Sequence, residues 1–248
     1  MNITNKTILI TGGGSGIGFE IAKLLSEKGN KVIITGRSEE RLQKAIAKLH
    51  NVVAIATDIN NPAAVNNLVA RVNNEFGALD ILINNAGQAY YFKLDDSNVN
   101  AAEKAAHEMQ TNYISVINLT EMFLPLLKVS KEGAIVNVTS IVAFVPGINI
   151  PTYAASKAAL HSYSQALRYT LAKSTDIKVF ELMPPLVNTE FSAGIGGENG
   201  IPPQEVADDL IKGFEKDEYE IHVGNTANIY KLFLSSPQEA LNALNQGR

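Results

Sequence analysis

The sequence contains no cysteine and no tryptophan. Without cysteine, disulfides, thiolate nucleophiles and cysteine-held zinc or iron–sulfur centres are all excluded. The histidines at 50, 107, 161 and 222 do not stand at metal-ligand spacing, so no metal is expected. No apolar run approaches the ~20 residues of a membrane span. The stretch Thr7–Thr11 is too short for a signal h-region and no small-residue cleavage pattern follows it. Charge of one sign is not in excess either. The 21 Lys plus Arg against 25 Asp plus Glu leave a net charge of −4, which gives no electrostatic reason to expect nucleic acid or membrane as a partner. Nor is there a Gly-Lys dipeptide, which removes the P-loop reading. These absences describe a soluble protein, expected in the cytoplasm.

What is present is a rhythm. Short β-branched runs near 7–11, 31–35, 52–56, 79–84, 133–139, 177–182 and 219–223 alternate with stretches of helical period near 16–28, 39–49, 62–76, 101–128 and 152–173. Runs such as Val32-Ile33-Ile34 and Ile81-Leu82-Ile83 are apolar without alternation, as a sheet covered on both faces requires. Strict alternation of strand and helix makes the sheet parallel. The expected fold is therefore α/β, a doubly wound parallel sheet with helices on both faces, as one domain over residues 1–248. Segment 185–203 reads as a long connection with neither helical nor strand pattern.

Half of the 18 glycines fall in two windows, five in residues 12–18 and four in 194–200. The first, Thr11-Gly12-Gly13-Gly14-Ser15-Gly16-Ile17-Gly18, follows a strand and opens a helix. Glycines there let the backbone approach a pyrophosphate, and the helix N-terminus supplies free N–H groups and positive dipole. A strand–helix turn without ligand is the alternative. The second strand ends in Gly36-Arg37-Ser38 with no carboxylate until Glu39. A guanidinium and a hydroxyl suit a 2′-phosphate, so NADP(H) is preferred; NAD(H), with Arg37 stacked on adenine or simply solvated, is the alternative. Asp58, followed by Ile59, stands where a carboxylate would accept from the adenine amino group, or where it would cap a helix.

Ser140 follows the fifth strand, and Tyr153 and Lys157 are spaced i, i+4 at the start of the next helix. On one helical face the ammonium would lower the phenol from its usual pKa of about 10 and make it a usable acid, while Ser140 polarises a carbonyl. Tyr169 and Lys173 repeat the spacing but lie ~24 Å along the same helix. They are expected to be structural or surface residues.

These motifs occur in a fixed order: Thr11 to Gly18, Asp58, Asn84-Asn85-Ala86-Gly87, Asn112, Ser140, and Tyr153 with Lys157. In that order the chain resembles a classical short-chain dehydrogenase/reductase over nearly its whole length. The resemblance implies a Rossmann-type fold with Tyr153 as general acid/base, Ser140 steadying the substrate oxygen, Lys157 also binding the nicotinamide ribose, and Asn112 helping to hold a water in a proton relay. It makes Asn84 structural. It extends the cofactor contacts from Gly12, Ser15, Gly16, Ile17 and Gly18 to Ile59, Asn85, Ala86, Gly87, Pro184, Val187 and Thr189. A homodimer or homotetramer joined through segments 101–128 and 152–173 is the family habit. One departure stands out, since Pro185 replaces the usual glycine after the sixth strand, which stiffens the backbone there and removes a donor. That feature, with Ala158 to Ser162 after Lys157, is similar to a DltE-like subgroup.

On the substrate side, Phe144, Val145, Pro146, Ile148 and Ile150 are read as an apolar pocket wall, with subunit contact as the alternative, and Gln88, Tyr90 and Tyr91 as polar or aromatic contacts. Phe191 and Ile195, among the second glycine window, are expected to plug a substrate lid at 190–201. His161, one turn after Lys157, has no assigned role. The activity expected is hydride transfer between a nicotinamide cofactor and a ketone/aldehyde or alcohol. The competing reading is an NAD(P)-binding sensor on the same fold with little catalysis.

Overall fold

The structure, a computed structural model, describes residues 1–247. Its centre is a seven-stranded sheet in the order β3-β2-β1-β4-β5-β6-β7, all neighbours parallel. The strands are β1 Thr7–Thr11, β2 Lys31–Gly36, β3 Val52–Ala56, β4 Ile81–Asn84, β5 Ala134–Val138, β6 Lys178–Met183 and β7 Glu220–His222. Seven of seven expected strands are present, with some ends shifted by a residue or two.

Alternate residues of each strand face opposite sides of the sheet. Ile8, Ile10, Ile34, Ile83, Val136 and Phe180 bury one face under helices α1 (Gly16–Glu27), α2 (Glu39–Ile46) and α7 (Pro203–Lys216). Leu9, Ile33, Leu82, Ile135 and Val179 bury the other under α3 (Pro62–Phe76), α5 (Ser115–Leu127) and α6 (Pro151–Leu171). Each fully buried side chain of this kind contributes about 1.5–3 kcal/mol, and with no exposed face left the strands need no polar alternation.

Three differences from the sequence reading have physical causes. Segment 101–128 is not one regular helix: α4 (Ala101–Met109) passes through a π-helical turn, Gln110–Ile114, into α5. The wider turn carries Asn112, whose amide is fixed from outside the helix. Segment 185–203 is ordered, with 3-10 turns at Glu190–Ile195 and Gly197–Asn199 and a bridge between Val187 and Ile201. Such short turns leave no 3.6-residue period to read. Finally, α7, α8 (Thr226–Ser235) and α9 (Pro237–Asn245) have no counterpart among the expected helices. The last two fold back on Ile141, Val142 and Val145 as a third apolar cluster beside the carboxyl end of the sheet. Among the described residues no helix is long and apolar enough to cross a membrane.

The strand order reverses between β1 and β4. At such a switch point the loops leaving the two strands diverge, one to each side, and open a crevice at their carboxyl ends.

Candidate active site

That crevice is a cleft of about 780 Å³. One end is built by the glycine turn. Thr11 Oγ1 accepts from the backbone N–H groups of Asn85 and Ala86, both at 3.0 Å, and Asn85 Nδ2 donates to the carbonyls of Thr11 at 2.9 Å and Gly12 at 3.2 Å. The end of β4 is thereby stitched to the turn after β1. Gly12 sits at φ +67°, and a Cβ on Gly18 would lie 2.5 Å from the Gly12 carbonyl oxygen, so the helix start can press against the turn only without side chains. Ser15 precedes α1 without capping it, which leaves the first N–H groups of the helix directed at the cleft. Thr189 closes the opposite side; its methyl would lie 3.2 Å from a Cβ on Gly16.

Beyond the glycine turn, Arg37 and Ser38 line the cleft at the end of β2. Ser38 caps α2 by accepting from Arg41 N at 3.2 Å. Arg41, one turn on, also lines the cleft and bonds Glu190 Oε1 at 3.1 Å. The sequence reading missed this second guanidinium, which stands in the first turn of α2 after the Ser38 cap. Asp58 and Ile59 line the same end. Asp58 accepts from Asn60 N, while the cap of α3 is Asn61, so helix capping does not account for Asp58.

Ser140, Tyr153 and Lys157 line the same cleft, with Gly87, Pro184, Pro185 and Val187. Ser140 is buried at the turn after β5, its Oγ donating to Pro184 O at 3.4 Å and accepting from Val142 N at 3.3 Å. The Pro184 carbonyl also accepts from Ile141 N at 3.0 Å, which locks the turns after β5 and β6 together. Lys157 reaches back to donate to Val138 O at 2.7 Å, with Nζ 5.5 Å from the Tyr153 ring centroid. Burial pulls the Lys157 ammonium down to about 8, partly opposed by Glu181. Burial, then Tyr91 and Glu108, hold the Tyr153 phenol above its ordinary range. The expected lowering of the phenol by its neighbouring ammonium does not prevail here, because burial of Tyr153 outweighs it.

Several expected residues are not brought to the cleft wall. Asn112 is buried behind Gly87; its Oδ1 accepts from Gln88 N and its Nδ2 donates to Gln88 O, both at 2.8 Å, and to Ser156 Oγ at 2.9 Å. Its amide fixes the loop after β4. Gln88 turns away, donating to Tyr90 Oη, which in turn bonds His107. Gly18 supports the turn from behind. Phe144 is drawn into an aromatic cluster with His161, His222 and Tyr230 at centroid distances of 4.9, 5.9 and 4.6 Å. Pro146 is exposed, and its carbonyl accepts from Asn245 of α9 at 3.0 Å. Of the expected wall residues Ile150 does line the cleft, as do Phe191 and Ile195; Ile141, Val142 and Leu244 complete its apolar lining. Leu244 comes from α9, roughly a hundred residues beyond Ser140, and no local signal marks it. Tyr169 is exposed beneath Lys173, whose Nζ lies 4.2 Å from its ring centroid. Among the described residues no cluster of three or more His, Asp or Glu could hold a metal ion.

The glycine cradle that a Cβ would fill, the uncapped helix start and the volume of the cleft fit a dinucleotide. Comparison with known proteins agrees. Residues 6–199 match the short chain dehydrogenase family. The uncharacterized oxidoreductase DltE of Bacillus subtilis (strain 168) is 37% identical over 228 residues, covering 89% of each chain. An uncharacterized oxidoreductase of Staphylococcus aureus (strain USA300) is 33% identical over 213 residues, covering 84% of this chain and 90% of its own. A short chain dehydrogenase from Burkholderia cenocepacia J2315, solved in complex with NADP, superposes with a TM-score of 0.86 at 28% identity, over 100% of both chains. A short chain dehydrogenase/reductase from Burkholderia phymatum in complex with NAD shares the fold, with a TM-score of 0.87 at 21% identity over 100% of this chain and 98% of that one. The chain belongs to the short-chain dehydrogenase family and is DltE-like within it.

Proposed function

We propose that this chain is an NADP(H)-preferring carbonyl reductase or alcohol dehydrogenase acting on an apolar ketone, aldehyde or alcohol. The observation that carries this reading is that Ser140, Tyr153 and Lys157 line the same cleft as the glycine turn. When bound there, the nicotinamide cofactor supplies hydride to the carbonyl carbon, or accepts it from the alcohol.

The chain's own residues do the rest. Ser140 donates a hydrogen bond to the substrate oxygen and favours the charge that develops on it. Tyr153 gives that oxygen a proton in reduction and takes it back in oxidation. The ammonium of Lys157 supplies positive charge behind the phenol. Asn112 serves this site by holding the Gln88 backbone and Ser156 rather than by facing substrate. Gly12, Ser15, Gly16 and Ile17 would hold the pyrophosphate, and Thr189 and Val187 would lie on the nicotinamide side. At the adenosine end, Arg37 and Arg41 with no nearby carboxylate on β2 support a 2′-phosphate; the Burkholderia cenocepacia relative was solved with NADP. Residues 190–201 act as the substrate lid, with the Phe191 ring tilted against that of Tyr153 at a centroid distance of 5.9 Å. A single domain that assembles as a homodimer or homotetramer completes the reading.

The test is oxidation of NADPH and of NADH against a panel of apolar ketones. Turnover with NADPH favoured supports the enzyme; tight cofactor binding with no turnover across the panel supports a binding protein instead.

A further inference from the structure

Glu181 lies in the middle of β6, opposite Asn137 of β5, and is fully buried. An isolated carboxylate there would be prohibitively costly. Two partners relieve it. His161 Nδ1 lies 2.9 and 3.0 Å from its two oxygens, and Thr139 Oγ1 donates to Oε1 at 2.7 Å. His161 is one turn after Lys157 on α6, and Thr139 directly follows Val138, whose carbonyl holds the Lys157 ammonium. The buried cation and the buried anion are thus moored to successive residues of the segment that leads into Ser140. Among the described residues no carboxylate pairs with Lys157 directly.

The surrounding charges are few. Glu181 is the acid whose field supports the Lys157 ammonium against burial. His161 is held above its ordinary range by Glu181 first, with Glu220 of β7 helping and burial and Arg168 opposing. Glu220 is itself paired with Arg168 at 2.8 Å. His222 lies across the Phe144 ring and is pushed down by burial. Glu108, from α4, faces Tyr153.

We propose that Glu181 is the internal counter-charge of Lys157 and that His161 sets how much of that charge the lysine feels, which makes both positioning residues of the proton-transfer site. The assignment rests on the reading of Lys157 given above. With its side chain 18% exposed, His161 connects the pair to solvent. A protonated His161 neutralises Glu181 and leaves the ammonium least supported. As pH rises and His161 loses its proton, the bare carboxylate strengthens the lysine's hold on its own proton.

The test needs no substrate. In full-length protein carrying isotope-labelled lysine, the Lys157 side-chain resonance, assigned with Lys157→Met, is followed by NMR against pH. Wild type should show two inflections, one at the titration of His161 and one at that of Lys157. Glu181→Gln should move the lysine midpoint down by about one pH unit and abolish the first inflection. His161→Gln should abolish the first inflection alone. An unmoved midpoint in folded Glu181→Gln overturns the proposal. If that variant does not fold, an inflection that persists in His161→Gln overturns it. Turnover retained by Tyr153→Phe would instead sink the catalytic reading and leave this charge coupling standing.

Discussion

Lys157 keeps its ammonium on the carbonyl of Val138 at 2.7 Å, with the Tyr153 ring centroid 5.5 Å away. A charge bonded to one neutral carbonyl, with Glu181 offsetting only part of the cost of burial, is placed for chemistry at the expense of stability. Its pKa is depressed to about 8 from 10.5, so the folded protein carries the full penalty below about 8 and sheds it as pH climbs toward 10.5.

Lys157→Met should therefore stabilise the protein by about 1–3 kcal/mol near neutral pH and flatten the rise in stability between about pH 8 and 10. Urea unfolding of both proteins across that range measures it. A variant less stable than wild type at neutral pH contradicts the electrostatic account of this site.

Arg37→Ala should weaken NADPH binding about tenfold or more while leaving NADH within about twofold, because a charge-assisted bond to phosphate contributes about 1.5–3 kcal/mol. Fluorescence titration with the two cofactors reads it directly. Equal losses for both would place Arg37 on the adenine or in solvent.

Gly18→Ala forces a methyl to within 2.5 Å of the Gly12 carbonyl oxygen. Overpacking against backbone costs about 1–3 kcal/mol and should displace the turn. A lower urea midpoint together with lost affinity for both cofactors is expected; unchanged affinity would separate this turn from the pyrophosphate.

The division between what was legible in the sequence and what was not follows the range of the interactions. The strands from Thr7 to Met183 could be read because a sheet buried on both faces leaves continuous apolar runs. Gly12 to Gly18, Arg37 and the Tyr153–Lys157 pair could be read because each signal is local. Phe144 and Pro146 were misplaced because they lie close to Ser140 in sequence while α8 and α9, unread, take them over. Leu244 belongs to the cleft only through the path of the chain's last helices. The bond of Lys157 to Val138 and the pairing of His161 with Glu181 depend on which strand lies beneath α6, and spacing along the helix carries no such information.

The segment at 190–201 is fastened by the Tyr91 hydroxyl, which donates to the Phe191 carbonyl, and by the Ser192 hydroxyl on Val187. Cofactor and substrate together should slow limited proteolysis there, and Tyr91→Phe should speed it several-fold without ligands. Equal cleavage rates with and without ligands contradict a lid.

Tyr153→Phe tests the central claim most directly. Removing the phenolic proton while keeping the ring against Phe191 should cut ketone reduction by at least about a hundredfold and leave the NADPH dissociation constant within about twofold. Turnover retained at near wild-type rate, with cofactor binding intact, would contradict the assignment of proton transfer to Tyr153.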